Sequence, residues 1–325
     1  MKINILFLIT ILCISCNTNE DNNSFQILKY NPTSEYIAIF GDIQYYTNNS
    51  YYSLYQYSCD WIVKQKLVGM NIKGVIHTGD VTQSNGIWDW NFFLTATYQL
   101  ANEIPYVSMI GDHDYTWDKD ERIYDRYSTH FNEFVSFPLT KQRVVAYFEE
   151  GRMENVVVEN YVQGLPFYFL VLEFGPREEV VTWANEYVRS HPEINFIMMT
   201  HEYLEQGGGR RTKNLKSVIR LRNTTYTTPE DLWKKLVKCN DNILCVFCGH
   251  VLSLYSYTID KNDFGREVPQ IQYNIQDTPY RYDNWLMLWE FPEKKDSANV
   301  SIINAKTLKY YNNNPILFQF KYKRN

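Results

Sequence analysis

The stretch GVIHTGD, residues 74–80, decides how the chain folds. Its apolar residues predict a buried strand, and a Gly-Asp pair follows directly. The same arrangement occurs in YIAIFGD (36–42) and YVSMIGDHD (106–114), while NFIMMTHEY (195–203) and NILCVFCGH (242–250) run into histidines. Five predicted strands therefore deliver a polar side chain at their carboxyl ends: Asp42, Asp80, Asp112, His201 and His250.

Helical patterns separate these strands. Apolar residues between positions 54 and 67 recur at helical spacing, and the segments IWDWNFFLTATYQL (87–100), 180–188 and PEDLWKKLVK (229–238) predict three more helices. This alternation predicts an α/β fold with a buried sheet, and ligands of such sheets bind outside the carboxyl ends of the strands. After Leu254 the pattern becomes β-like, which predicts antiparallel strands that complete a second sheet.

Aspartate and histidine are the ligands that suit Zn, Mn or Fe, whereas Ca prefers oxygen throughout. Each residue alone has an ordinary explanation, because Gly-Asp often forms a turn or a helix cap and a lone histidine is usually structural. Five such strand ends in one chain favour a metal site instead. A carboxylate shared by two cations about 3.5–4 Å apart lets both act on one phosphoryl group.

The ordered series GDIQ (41–44), GD (79–80), GDHD (111–114), THE (200–202) and GH (249–250) resembles the calcineurin-like metallophosphoesterase superfamily. The pattern of that superfamily is Asp-x-His, Gly-Asp, Gly-Asn-His-Asp/Glu, His and Gly-His-x-His. The resemblance extends from about residue 36 to 292, because flanking segments also resemble a bacterial envelope branch. It implies a four-layer α-β-β-α sandwich of two mixed sheets. It also implies a hydrolase in which a metal-bound hydroxide at a dinuclear site attacks a phosphomonoester or phosphodiester.

The resemblance also implies a role for each motif residue. Asp80 would bridge two divalent ions (Mn, Fe or Zn), Asp42 and Gln44 would serve the first ion, and Asp112, His201 and His250 would bind the second. His113 would steady the phosphoryl oxygens or protonate the leaving group, and Asp114 would orient His113.

Three positions depart from the superfamily pattern. Gln44 and Leu252 stand where histidines are usual, so one cation is expected to be weakly held or to depend on substrate. Asp112 replaces an asparagine and adds a negative charge to the other cation position. These departures leave open a second hypothesis, a non-catalytic surface lipoprotein that keeps the fold and binds a glycan, nucleotide or protein. The retained GDHD motif favours the enzyme, since a binding module has no evident need for His113.

Two arginines follow His201 in the sequence GGGRR (207–211). Arg210 and Arg211 are candidates to grip a phosphate group, with a flexible solvated loop as the equally weighted alternative. His77 lies inside a predicted strand, which favours a core or supporting position over a spare ligand.

The amino terminus, MKINILFLITILCISC, has one lysine and an apolar run that is too short to span a bilayer and fits a secretory signal. Ser15 before Cys16 resembles a bacterial lipoprotein cleavage box, with Cys13 in place of the usual leucine, and no Ala-x-Ala site for plain secretion is evident. We therefore expect export and a lipid anchor at Cys16 in the bacterial cell envelope. The expected organisation is a signal peptide with lipobox (1–16), a flexible tether (17–34), a metallophosphoesterase domain (35–305) and a C-terminal tail (306–325).

The composition limits the kinds of partner that the protein is expected to bind. The 325 residues carry a net charge of −5, which argues against a nucleic-acid-binding surface. Cys245 and Cys248 form a CxxC pair, but they lie in a predicted strand where positions three apart face opposite sides. No second CxxC completes a zinc site, so buried free thiols are predicted.

Overall fold

Two mixed β-sheets form the centre of the fold in the computed structural model, which describes residues 25–47, 51–140, 143–211, 221–222, 225–276 and 279–322. The predicted signal peptide, with Cys16, and residues 17–24 of the predicted tether lie outside the described residues. Within those ranges, no helix has the length and apolar character needed to cross a membrane.

Sixteen strands lie in the described residues. In chain order they are β1 (Glu35–Phe40), β2 (Ile72–His77), β3 (Tyr106–Ser108), β4 (Thr116–Asp118), β5 (Ile123–Asp125), β6 (Val144–Tyr147), β7 (Val156–Val158), β8 (Tyr161–Val162), β9 (Leu165–Val171), β10 (Asn195–Met199), β11 (Ile243–Cys248), β12 (Tyr255–Lys261), β13 (Glu267–Tyr273), β14 (Trp285–Phe291), β15 (Ser297–Asn304) and β16 (Phe318–Lys321).

The first sheet has the spatial order β16-β15-β14-β1-β2-β3. Its strands β1, β2 and β3 are parallel, and β14, β15 and β16 add antiparallel pairings at the other edge. The second sheet has the order β12-β13-β11-β10-β9-β7-β6, with β8 paired to β9. Its strands β9, β10, β11 and β13 are parallel. Every strand end predicted to carry a ligand therefore belongs to a parallel part of one of the sheets.

The helices are α1 (Gln44–Thr47), α2 (Tyr52–Leu67), α3 (Ile87–Glu103), α4 (Phe131–Val135), α5 (Glu178–Ser190) and α6 (Pro229–Leu232). A wider helical turn, Trp233–Val237, continues α6, so the predicted PEDLWKKLVK helix is present in two parts. Thr228 caps it by accepting a hydrogen bond from the Asp231 backbone N–H at 3.2 Å, and Pro229 occupies the first turn, where no N–H is needed.

Alternating residues of the second sheet divide the core into layers. In β10, Ile197 and Met199 join the large cluster that includes the first sheet and helices α2 and α3. Phe196 and Met198 instead join the cluster formed with α5 and α6. Because side chains alternate along a strand, one sheet can bury both faces in this way. The predicted four-layer sandwich of two mixed sheets is confirmed.

The cysteines follow the same alternation. Cys245 packs between the sheets and Cys248 on the outer face with the helices. Burial raises the pKa of both thiols, that of Cys248 to about 12, so neither is a ready thiolate. Cys245 and Cys248 are buried and free, as predicted.

Both ends of the predicted domain carry further ordered contacts. Before residue 35, the backbone N–H of Leu28 donates to Gln65 Oε1 at 2.9 Å, and Leu28 is buried. After residue 305, β16 pairs with β15 and extends the first sheet.

Candidate metal centre

Four side chains converge where the carboxyl ends of the two sheets meet. Asp80 and Asp112 follow strands β2 and β3 of the first sheet, and His201 and His250 follow β10 and β11 of the second. Each offers one ligand atom, and these atoms all lie within 4.8 Å of one another. His201 Nε2 is 3.2 Å from Asp80 Oδ1 and 3.4 Å from Asp112 Oδ1, while His250 Nδ1 is 3.1 Å from Asp112 Oδ1.

The backbone has an unusual conformation at two of these four residues. Asp80 has φ 50° and His250 has φ 68°, and both values lie in the left-handed region that costs energy for residues other than glycine. The glycines beside them allow a close approach. A Cβ on Gly111 would collide with the carboxylate and backbone of Asp80, and one on Gly249 would collide with Asp42 Oδ1. Gly111 and Gly249 are therefore required by space, because any side chain there would meet these atoms.

In each histidine, the ring nitrogen that does not face the cluster lies near an oxygen atom of the protein. His201 Nδ1 donates to the Thr78 carbonyl oxygen at 2.6 Å, so Nε2 is the nitrogen that faces the cluster, and it has no hydrogen-bond partner in the described structure. His250 Nε2 is 3.8 Å from Glu202 Oε1, and this buried carboxylate is in turn paired with Arg211.

Phe174, which follows β9, contacts both rings, with centroid distances of 6.0 Å to His201 and 5.9 Å to His250. It forms an apolar wall on that side of the cluster.

The electrostatics of the cluster fit a cation. Burial alone would raise the pKa of Asp112, but His250 and His201 hold it well below its usual range. Burial opposes charge on His201, yet Asp80 and Asp42 raise its pKa well above the usual value. Carboxylate oxygens and imidazole nitrogens in one buried cluster, with an orphaned His201 Nε2, form a donor set suited to a divalent transition metal.

Asp42, which is expected to bind the other cation, makes hydrogen bonds to neighbouring protein groups. Asp42 Oδ1 accepts from the Thr78 hydroxyl at 2.5 Å, and its Oδ2 accepts from the His250 backbone N–H at 3.0 Å and from Asn274 Nδ2 at 2.6 Å. Burial, reinforced by the charge of Asp80, raises the pKa of Asp42 to about 7, although His201 opposes the shift.

Gln44 and Leu252 are the two departures expected to weaken this position. Gln44 Nε2 donates to Asp80 Oδ2 at 2.9 Å, and its Oε1 has no hydrogen-bond partner in the part of the chain that the structure describes. The side chain of Leu252 is 56% exposed. The donor set expected here, Asp42, a shared Asp80 and one amide oxygen, is poorer than the four-residue cluster.

His113 lies beside the cluster. Its backbone N–H donates to Asp80 Oδ1 at 3.1 Å, and its Nδ1 donates to the Gln83 carbonyl oxygen at 2.8 Å. Burial opposes protonation of the ring, but Asp80 and Asp112 outweigh it and raise the pKa to about 9.

The expected contact between Asp114 and the His113 ring is corrected by the structure. Asp114 Oδ1 accepts from the Thr82 backbone N–H at 2.9 Å, and its Oδ2 accepts from the Gly111 backbone N–H at 3.0 Å. Asp114 therefore fixes the loop, and Gln83 orients the ring. Asp114 is buried, so backbone N–H groups lie closer to its carboxylate than the ring of His113, which points out of the same tight turn.

The two candidate phosphate-binding arginines are already paired. Arg210 Nε is 2.7 Å from Glu230 Oε2, and its guanidinium also binds Asp260 at 2.5 Å and stacks 4.6 Å above the Trp233 ring. Arg211 pairs with Glu202 and is 3.0 Å from Glu205. Arg211 thus reaches the cluster through Glu202, and direct phosphate binding by either arginine stays a prediction.

His77 occupies the core position that its strand predicts. It is fully buried, and its Nδ1 accepts the Gly79 backbone N–H at 3.1 Å. Burial lowers the pKa of His77 to about 3, and His201 adds to the shift, so its ring is neutral.

Two sequence comparisons show what the chain is similar to. The family model for calcineurin-like phosphoesterases matches residues 36–264. Uncharacterized protein YvnB of Bacillus subtilis (strain 168) is 27% identical over 282 residues, which cover 83% of this chain and 20% of that protein. The chain therefore spans about a fifth of the length of this curated relative.

Solved structures show more distant likeness. A 5'-nucleotidase from Candida albicans aligns with a TM-score of 0.48 at 12% identity, covering 87% of this chain and 54% of that one. A Streptococcus pneumoniae TIGR4 protein described as a predicted phosphoesterase aligns with a TM-score of 0.35 at 10% identity, covering 89% of this chain and 98% of its own.

Proposed function

Because the chain belongs to the calcineurin-like phosphoesterase family, we propose that it is a metal-dependent enzyme that hydrolyses a phosphomonoester or phosphodiester. The observation that carries the proposal is the cluster of Asp80, Asp112, His201 and His250, whose ligand atoms lie within 4.8 Å of one another next to His113. A module that only bound a partner would not need a buried metal-ligand set with a histidine held at its edge.

We assign the four-residue cluster to the tighter cation and Asp42, Asp80 and Gln44 to a weaker one. Bound divalent cations supply Lewis acidity toward a phosphoryl oxygen and lower the pKa of water. Rotation of the Gln44 amide would turn its partnerless oxygen toward the weaker position, whereas Asp42 would have to exchange one of its three hydrogen bonds. The second cation is therefore expected to bind more weakly than the first.

His113 is the side chain assigned to the substrate. Its Nδ1 is taken by the Gln83 carbonyl oxygen, so Nε2 is the nitrogen left to donate to a phosphoryl or leaving-group oxygen. Its backbone N–H is anchored on Asp80, which ties the ring's location to the proposed bridging ligand. Asp114 and Thr82 hold the loop that carries it.

Metal content and turnover together test the proposal. The purified protein is analysed for bound metal and assayed with phosphomonoesters and phosphodiesters in the presence of Mn, Zn or Fe. We expect near-stoichiometric metal and turnover that is lost in His113→Ala, with metal retained. His130→Ala is the matched control, because the side chain of His130 is 41% exposed and pairs with Glu133 on helix α4. Metal uptake without turnover of any ester would instead support the non-catalytic binding protein, and no uptake of any cation would refute the metal assignment.

We also propose that the protein is exported and anchored through a lipid on Cys16. The support is the apolar run ending at Ser15 and Cys16. Cys16→Ser should move the protein from the membrane fraction to the soluble fraction and remove the lipid mass from the mature chain. An unchanged distribution would contradict the anchor.

A further inference from the structure

A group of aromatic side chains and one arginine lies on the Asp42 side of the metal centre. A chain of hydrogen bonds leads there from the site. Asn274 Nδ2 donates to Asp42 at 2.6 Å, the Gln276 backbone N–H donates to Asn274 Oδ1 at 2.7 Å, and Arg281 Nε donates to the Gln276 carbonyl oxygen at 2.8 Å. The position of Arg281 is thus tied to the weaker cation position through three consecutive bonds.

Arg281 differs from the two arginines considered above. Its guanidinium carbon lies 4.3 Å from the ring centre of Tyr45, the residue after Gln44, and 5.9 Å from that of Tyr282. Unlike Arg210 and Arg211, it is paired with no carboxylate among the residues that the structure describes. A guanidinium stacked on a ring keeps its edge N–H groups available for the oxygens of an anion.

Two exposed tyrosines continue this surface. Tyr51 and Tyr282 have ring centroids 4.7 Å apart at an angle of 42°, and they are 37% and 49% exposed. The loop that carries Tyr282 is fixed, since Tyr46 donates its hydroxyl to the Asp283 carbonyl oxygen at 2.8 Å. A rigid pair of exposed rings offers contact area at low conformational cost.

We propose that Tyr45, Tyr51, Arg281 and Tyr282, the aromatic rim, bind the alcohol part of a phosphate ester that carries a flat ring, as an aryl or nucleoside phosphate does. The exposed tyrosines stack on the ring, and Arg281 binds anionic oxygens of the ester. The inference rests on the proposed phosphoesterase function and specifies its substrate class. It also explains why a positive side chain lies on the side where the second cation has the poorer ligands.

The experiment compares a ring ester with a ringless one. The kcat/KM for 4-nitrophenyl phosphate and for glycerol phosphate is measured with Tyr282→Ala and with Tyr161→Ala. Tyr161 is the control, because it is 48% exposed and its ring lies 5.9 Å from that of Tyr168. It belongs to β8, which pairs with the start of β9, away from the carboxyl ends of the strands. We expect Tyr282→Ala to lose about tenfold with the ring ester, or about 1.4 kcal/mol. It should stay within about twofold of the parent with glycerol phosphate, and Tyr161→Ala should change neither.

Arg281→Gln tests the second part of the rim. It should raise KM for both esters by about tenfold, with Arg189→Gln on the exposed face of α5 as control. Unfolding midpoints and metal content are measured for every variant, and Tyr51→Ala replaces Tyr282→Ala if the latter fails to fold. Equal losses with both esters in the tyrosine variant, or no loss with either, would overturn the subsite.

Binding separates this inference from the proposed function. Titration with 4-nitrobenzyl phosphonate and methyl phosphonate, which have no ester bond to cleave, reports affinity without turnover. Tighter binding of the ring compound that is lost in Tyr282→Ala supports the rim even if no ester is hydrolysed. Turnover with no preference for the ring compound supports the phosphoesterase and refutes the rim.

Discussion

Glu173 is the residue whose replacement should most weaken the fold around the metal centre. It follows β9, its side chain is 2% exposed, and it lies 2.8 Å from the equally buried Arg126. Asn155 Nδ2 donates to the oxygen that faces Arg126, at 3.1 Å, and the other oxygen is 3.0 Å from Arg177 Nε. We expect Glu173→Gln to lower the free energy of unfolding by about 3–5 kcal/mol, the range for removing one partner of a buried ion pair.

The expected loss of unfolding free energy follows from the contacts that Arg126 keeps and the one that it loses. Glutamine preserves the shape, so the loss is electrostatic rather than a cavity. Arg126 retains hydrogen bonds to the Phe174 and Gly175 carbonyl oxygens at 3.2 and 2.7 Å, but its charge loses the only carboxylate paired with it in the described residues. Arg126→Met should cost less, about 1.5–3 kcal/mol, because Glu173 still has Arg177. The double variant should be more stable than Glu173→Gln, since it buries no uncompensated arginine.

Urea unfolding of the metal-free variants provides the measurement, arranged as a double-mutant cycle. Lys235→Gln is the control, because Lys235 pairs with Glu178 while both side chains are about half exposed, at 47% and 51%, and should change stability by no more than about 1 kcal/mol. Since Phe174 contacts both metal-facing histidines, Glu173→Gln should also weaken metal binding. A loss below about 1 kcal/mol, or a double variant less stable than Glu173→Gln, would refute the reasoning.

The remaining predictions concern single residues. Glu202→Gln should weaken metal binding about tenfold by loosening His250, as other supporting carboxylates of metal-bound histidines do, and isothermal titration that shows an unchanged Kd would contradict that role. Leu252→His should tighten the weaker cation beside Asp42, and unchanged occupancy at limiting metal would show that this position is wrongly assigned. His77 is neutral in the folded state, with a pKa of about 3 against 6.5 when unfolded, so below pH 6.5 the unfolded chain binds a proton that the folded chain does not. Stability should therefore fall toward acid by up to about 1.4 kcal/mol per pH unit, and urea unfolding of metal-free His77→Gln should lack that component of the slope; equal slopes would contradict it.

Much of the site follows from one rule of the sequence, that parallel strands present polar residues at their carboxyl ends. The rule predicts Asp80, Asp112, His201 and His250, and the structure brings them together. It also extends to Asn274, which directly follows β13 and binds Asp42, although that residue was not among the predicted ones. An amide carries little metal signal by itself, so only its place after a strand could have pointed to it.

Other contacts follow no periodic pattern. Gln83 and Glu202 lie in loops, and their partners are fixed by how the two sheets stack rather than by local spacing. The short strands β4 to β8 lack enough residues for alternation to predict them. Arg281 could not be predicted from the sequence, because the argument for it is that no carboxylate among the described residues pairs with its guanidinium. That is a property of the folded surface.

The two sheets contribute chemically different halves of the candidate metal centre. The first supplies carboxylates, Asp80 and Asp112, and the second supplies imidazoles, His201 and His250. Neither sheet alone holds a complete ligand set, so a cation bound here would fasten one sheet to the other at the edge where substrate arrives. Cation binding would then indicate that the sandwich has assembled, because the full ligand set exists only when both sheets are in their folded positions.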